Sequence, residues 1–317
     1  MIVALAGGVG GAKLADGLYR TLPAGQLRVV VNTADDLDLF GLRICPDVDT
    51  VMYTLAGLAN PETGWGIAGD TFEALAMLSR YERDVWFKVG DRDFATHIAR
   101  TDRLRAGLSL TAVTSELCRA LGIQAEILPM ADEPIATRLL TGAGSLEFQD
   151  YFVRRHHEDL VIGVEFHGIA AARPTSAVQN AVSRAEAIIF CPSNPIVSIG
   201  PILAVPGLRD LLIQRAVPKV GVSPIVGGRA LRGPADRMLG SLGHEISAYG
   251  VAKLYQGILD GFVIDEADAR LAGRIESLGM HVLVTPTIMT TTGDRADLAM
   301  RVLDFCTQLR QESSSRL

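Results

Sequence analysis

Four loops carry the residues in this chain that could do chemistry, and each follows a short apolar run. The first is GGVGGAK, Gly7 to Lys13. Glycines let a backbone come close to an anion, and the N–H groups that open a following helix point toward it. Gly7, Gly8, Gly10 and Gly11 are therefore candidates for holding a phosphate, with Lys13 adding a positive charge. A tight strand-to-helix turn without a ligand would use the same residues. The spacing is neither GxxxxGK[ST] nor a clean GxGxxG, and Asn32 stands where a dinucleotide fold places its ribose-binding acid. A nicotinamide dehydrogenase is disfavoured on both counts.

The second loop, Asn32 to Thr50, gathers five aspartates: Asp35, Asp36, Asp38, Asp47 and Asp49. Carboxylates packed this closely repel one another unless a cation or solvent separates them. Hard oxygen ligands beside a phosphate suit magnesium, and one carboxylate could accept a proton from an attacking hydroxyl. A solvated acidic loop with Asx turns is the alternative. The third loop, CPSNPIVSIGP, offers Ser193 and Asn194 between prolines that stiffen it. The fourth, SPIVGGRALRGPAD, combines Ser223, Gly227, Gly228, Arg229 and Arg232, a set able to grip a diphosphate through N–H groups and guanidinium charge. Two middle segments add Trp65, which could stack on a flat ring or simply pack, and Lys88, Asp91, Asp93 and His97. His97 reads as structural before catalytic.

Such loops meet only if the elements before them are parallel strands of one sheet. Ile2 to Ala6, a helix over Ala12 to Arg20, and Leu27 to Val31 open a doubly wound α/β fold. Further apolar runs at 160–166, 187–191, 217–222, 261–264 and 281–284, separated by helical patterns, extend a mostly parallel, Rossmann-like sheet. From 69 to 155 helical patterns predominate. The expected organisation is therefore a Rossmann-like core, 1–68 and 156–317, with a mainly helical insertion, 69–155, covering the site. Only the tail, 311–317, is expected to fray.

Composition narrows the class. The chain has 317 residues, 48% of them apolar and 21% charged, as in ordinary globular proteins. A net charge of -6 argues against a nucleic-acid partner. Four scattered cysteines form no CxxC pair and read as free thiols. With no basic leader and no run of 18 apolar residues, a cytoplasmic address is expected.

Taken together the motifs resemble one family, the 2-phospho-L-lactate transferases of deazaflavin coenzyme (factor 420) biosynthesis. The resemblance runs through GGVGGAKL, NTADD, PDVDTVMYTLAG, KVGDRD, LPMADEP, PSNPIVSIGPIL, SPIVGGRALRGPAD and ISAYGVAKLY, nearly the whole chain. It implies a guanosine diphosphate donor carrying a phosphorylated three-carbon acid: phospholactate, phosphoenolpyruvate or phosphoglycerate. The implied acceptor is the deazaflavin Fo, whose terminal ribityl hydroxyl attacks with release of GMP in a magnesium-dependent reaction. Residue by residue it assigns Asp49 and Lys88 to Fo, with Trp65 a stacking candidate. It makes Asp49 the catalytic group and Asp36 and Asp49 the metal ligands, with a homodimer as the assembly. Asp49→Asn, nearly isosteric, is expected to abolish turnover and spare the fold. The chain departs from the family where many members have GGTGTPKL, and where Cys191 replaces a glycine before PSNP. The competing resemblance is to the gluconeogenesis factors, regulators that bind a nucleotide sugar. Their second loop resembles DDGGSSG, unlike DDLDLFGLRICPDVDT here.

Overall fold

The computed structural model describes residues 1–142 and 144–315. In chain order the elements begin with β1 (Ile2–Ala6), α1 (Gly8–Thr21), β2 (Leu27–Val31), β3 (Leu37–Leu39), β4 (Leu42–Ile44) and α2 (Pro46–Leu55). Three helices follow, α3 (Glu73–Arg80), α4 (Asp91–Arg105) and α5 (Leu110–Ala120), and then β5 (Glu126–Pro129), β6 (Ala136–Thr141), β7 (Gly144–Glu147) and β8 (Val161–His167). The second half holds α6 (Ser176–Arg184), β9 (Ala187–Phe190), α7 (Ile199–Ala204), α8 (Leu208–Gln214), β10 (Lys219–Val222), β11 (Ile225–Val226) and β12 (Arg229–Ala230). It closes with α9 (Ala235–Ser241), α10 (Ala248–Leu254), β13 (Gly261–Ile264), α11 (Ala272–Glu276), β14 (His281–Val284) and α12 (Thr292–Ser315).

Seven strands form the central sheet in the order β14-β13-β10-β9-β1-β2-β5. Every pairing is parallel. Parallel strands are covered on both faces, so their side chains alternate between two cores. In β1, Ile2, Ala4 and Ala6 join the core under α1, α2 and α12, whereas Val3 and Leu5 join the core under α6, α8, α10 and α11. The chain leaves β1 toward β2 and β5 on one side and returns to β9 on the other. Strand order therefore reverses between β1 and β9, the topological switch point where open α/β sheets bind ligands.

Two expectations from the sequence need correction. The segment 69–155, expected to be a mainly helical insertion apart from the core, also supplies β5, the edge strand of the central sheet, paired with β2. The run near 160–166, by contrast, is not in that sheet. β8 pairs antiparallel with β6, which pairs with β7, in a separate three-stranded sheet. A short apolar run carries no mark of which sheet it joins, and β6 shows an alternating half-buried pattern typical of an antiparallel strand. Among the described residues, helical structure in the segment is confined to α3, α4 and α5 and to a short π-turn at Asp150–Arg154. At the other end α12 continues to Ser315, and Arg316 and Leu317 lie outside the described residues.

Candidate active site

At the switch point the glycine loop is shaped by its neighbours. The Gly7 N–H donates to Ser193 Oγ at 3.1 Å, joining the β1 loop to the β9 loop. A Cβ on Gly10 would sit 2.3 Å from the Pro192 carbonyl oxygen, and one on Gly11 would sit 2.4 Å from Ser193 Oγ. Those two glycines are required by loop-on-loop packing, whatever binds there. Gly8 is different: its φ of +63° is the left-handed region that glycine tolerates. Its N–H donates to Asp47 Oδ1 at 2.8 Å, so a carboxylate already faces the opening turn of α1. Lys13 is turned aside, its Nζ donating to the Met289 carbonyl at 2.7 Å. Burial, helped by Arg295, lowers its pKa.

The acidic loop divides into two pairs. Asp35 and Asp47 share one donor, Asn32 Nδ2, which lies 2.9 Å from an oxygen of each. Asn32 Oδ1 accepts the Ala34 N–H at 3.0 Å, which fixes the amide's orientation. Burial, compounded by Asp47, holds Asp35 well above the ordinary carboxylate range. Burial pushes Asp47 up to about 6, against the hydrogen bonds from Asn32 and Gly8. Among the described residues neither forms an ion pair, and Asp35 Oδ1 is buried without a hydrogen-bond partner. The other pair has arginines. Asp36 lies 3.2 Å from Arg43 Nη2, and burial nevertheless pushes it up to about 7. Asp49 is gripped by both terminal nitrogens of Arg100, a residue with no exposed surface. Burial opposes the Arg100 charge, but Asp49 outweighs it and holds the guanidinium above its ordinary range.

Behind Asp49 lies one face of α4. Asp93, His97 and Arg100 are four and three residues apart, so they project side by side. His97 Nδ1 is 3.7 Å from Asp49 Oδ2, His97 Nε2 is 3.3 Å from Asp93 Oδ1, and the Tyr53 hydroxyl donates to Asp93 Oδ1 at 2.6 Å. Asp49, Asp93 and His97 could converge on a metal ion. The Arg100 guanidinium on Asp49 opposes one there, because a second cation would meet like charge. The other acids of this motif do structural work. Asp91 accepts the Glu73 and Ala74 N–H groups at the start of α3. Asp70 accepts those of Arg92 and Asp93 at the start of α4. Each caps the other's helix. Gly90 leaves room for this, since a Cβ there would lie 2.2 Å from Asp70 Oδ2.

The remaining candidates shape the rim. Asn194 Oδ1 accepts the Ile196 and Val197 N–H groups, and Ser223 Oγ accepts the Ile225 N–H, so both side chains hold their own loops. Gly227 and Gly228, at φ +58° and +78°, form the two-residue turn between β11 and β12, and the Gly227 N–H donates to Asp268. Arg229 beside them is exposed. Arg232 donates to the Thr63 and Glu62 carbonyls, tying this loop to the one that carries Trp65. Gly64 lies against Val9 of the glycine loop, which leaves Trp65 43% exposed at the edge of the switch point. Lys88 is exposed just before α4. Sequence reading missed Arg43, Arg100 and the pivotal Asn32; only the i, i+4, i+7 spacing of Asp93, His97 and Arg100 hinted at one of them.

A seven-stranded parallel sheet with a glycine loop and an acidic loop at its switch point defines an α/β protein of the doubly wound class. The chain belongs to the 2-phospho-L-lactate transferase CofD family, whose model matches residues 2–284. It is 42% identical over 315 residues to the phosphoenolpyruvate transferase of Streptomyces griseus, covering 98% of this chain and 99% of the relative. It is 42% identical over 298 residues to the 2-phospho-L-lactate transferase of Methanosarcina mazei, covering 94% and 98%. In fold it resembles a UPF0052 family protein from Bacillus halodurans, with a TM-score of 0.64 at 14% identity over 95% of this chain and 98% of that one. No helix among the described residues is long and apolar enough to cross a membrane.

Proposed function

We propose that this transferase moves a phosphorylated three-carbon acid from a guanosine diphosphate donor to the terminal ribityl hydroxyl of the deazaflavin Fo. Relatives with equal identity carry the phosphoenolpyruvate and phospholactate names, and these two acids are the leading candidates for the group transferred. In the step, the acceptor oxygen bonds to the phosphorus that carries the acid. The bond from that phosphorus to the bridging oxygen breaks, GMP leaves with that oxygen, and the hydroxyl proton passes to a carboxylate or to solvent. Catalysis of this kind is mostly positioning and charge neutralisation.

The observation that carries the reading is the Asp35–Asn32–Asp47–Gly8 chain. It sets two buried carboxylates without a counter-ion against the glycine loop where a diphosphate would lie. Their charges oppose a diphosphate unless a cation joins them. Hard oxygen donors and the unpartnered Asp35 Oδ1 fit magnesium. We therefore assign it to Asp35 and Asp47, in preference to Asp36 and Asp49, whose arginines already supply positive charge. Magnesium there would neutralise developing charge on phosphate oxygens. The Gly7 and Gly8 backbone, with Gly227, Gly228 and Arg229 opposite, would line the donor. Asp49 and Lys88 are kept as acceptor-side groups, with Asp49 oriented by Arg100. A chromatographic assay of GMP release tests this: release that requires both Fo and magnesium supports it. Tight binding of a nucleotide sugar with no GMP release would point instead to a regulator.

A further inference from the structure

Arg100 grips Asp49, but that grip alone does not fix the angle between them. Among the described residues Arg100 Nε is buried without a hydrogen-bond partner, so the two terminal nitrogens set the plane of the guanidinium. Nη1 reaches three acceptors: Asp49 Oδ2 at 3.1 Å, His97 Nδ1 at 3.2 Å and the Arg43 carbonyl at 3.4 Å. Nη2 completes the grip on Asp49 Oδ1. Apart from Asp49, His97 is the nearer of these acceptors and the one that is a side chain.

The direction of the His97 contact follows from its partners. A guanidinium only donates, so Nδ1 accepts and carries no proton. The ring proton is then on Nε2, which faces Asp93 Oδ1 at 3.3 Å without the alignment of a hydrogen bond. A carboxylate at that position attracts the N–H and so favours the same tautomer. Asp93 Oδ1 in turn accepts the Tyr53 hydroxyl at 2.6 Å. Burial, with Asp49 and Asp93 nearby, raises the Tyr53 pKa and keeps the phenol a donor. Asp49 and Tyr53 are one turn apart on α2, as Asp93 and His97 are on α4. The helices therefore meet through two rungs, Asp49–Arg100 and Tyr53–Asp93, with His97 between them.

All five side chains are buried. A buried ion pair adds little stability over apolar packing of the same volume. What it supplies is direction, and α2 also carries Asp47, which holds the Gly8 N–H of the glycine loop. We infer that His97 is a positioning residue: by accepting from Arg100 Nη1 it sets the angle at which the guanidinium presents Asp49 to the acceptor hydroxyl, while Tyr53 and Asp93 fix which ring nitrogen accepts. His97 acts through Arg100 and touches neither substrate. The inference rests on the transferase reading, with Asp49 as its acceptor-side group.

Two amide substitutions separate the ring nitrogens. Asparagine places an acceptor where Nδ1 stood, and glutamine places its amide where Nε2 stood. His97→Gln is expected to lower kcat about tenfold or more, the scale of a small misplacement of a reacting group, with KM for the GMP-linked donor unchanged. His97→Asn should recover most of that loss. Equal turnover in the two variants, or losses that follow their melting temperatures, would make His97 a structural residue and overturn the inference. Should either variant fail to fold, NMR of wild-type protein with isotope-labelled histidine rings decides. A proton on Nε2 and none on Nδ1 is expected for His97, and a proton on Nδ1 would overturn the inference. Wild-type protein that releases no GMP with Fo and magnesium would overturn the transferase reading, and this inference with it.

Discussion

Asp47→Asn separates the electrostatic account of the site from a purely structural one. Asp47 is buried, and its pKa rises from an ordinary 3.8 to about 6. Because the folded-state value is raised, the folded protein holds that proton more tightly than the unfolded chain. Stability from this group is therefore complete below about pH 4 and is lost as pH rises through about 6. At about 1.4 kcal/mol per pH unit the full loss is about 3 kcal/mol, and about half of it falls between pH 5 and pH 8. Asparagine keeps the shape and an acceptor for the Gly8 N–H. It gives up an acceptor for Asn32, at a cost of about 1 kcal/mol. In EDTA the variant should thus exceed wild type by only about 0.6 kcal/mol near pH 5 and by about 2 kcal/mol at pH 8, the latter about 3 °C in melting temperature. Added magnesium should raise the melting temperature of wild type at pH 8 and leave the variant unmoved. A variant less stable than wild type at pH 8 in EDTA, or one with the same slope against pH, would refute the idea that Asp47 is an uncompensated buried charge.

The other predictions concern the supports of the site. Arg100→Met should destabilise the protein by about 3–5 kcal/mol in urea unfolding, because it leaves Asp49 buried without its counter-ion. For the same reason Asp49→Asn, nearly isosteric though it is, should lower stability as well as turnover, against the sequence-based expectation of an intact fold. Gly10→Ala should cost about 1–3 kcal/mol by driving a Cβ onto the Pro192 carbonyl and parting the β1 and β9 loops, seen as a lower melting temperature and weaker GDP binding. Lys88→Ala should raise KM for Fo and spare the fold, since Lys88 is exposed; an unchanged KM would remove it from the acceptor side.

Much of this arrangement was legible because parallel strands announce themselves as short apolar runs and because motif loops follow them. β1, β2, β9, β10, β13 and β14 were all found this way, and with them the edge where the four loops meet. What escaped was pairing. Glu126–Pro129 and Val161–His167 are both short, yet one edges the central sheet and the other builds a small antiparallel sheet; only tertiary contacts decide between them. The aspartates show the same limit. Five carboxylates in one loop are visible in the sequence, but which of them receive an arginine depends on Arg43, seven residues from Asp36, and Arg100, fifty-one from Asp49. The glycines divide likewise: Gly8 is needed for its backbone angle, and Gly10 and Gly11 for the close approach of another loop.

The most direct test of the central claim is mass spectrometry of the reaction product. Purified protein is incubated with magnesium, Fo and, in separate tubes, the phosphoanhydrides of GMP with phosphoenolpyruvate and with phospholactate. The account predicts a phosphodiester of Fo whose mass identifies the acid, appearing in step with GMP and abolished by EDTA. Intact donor and unmodified Fo in both tubes would contradict it.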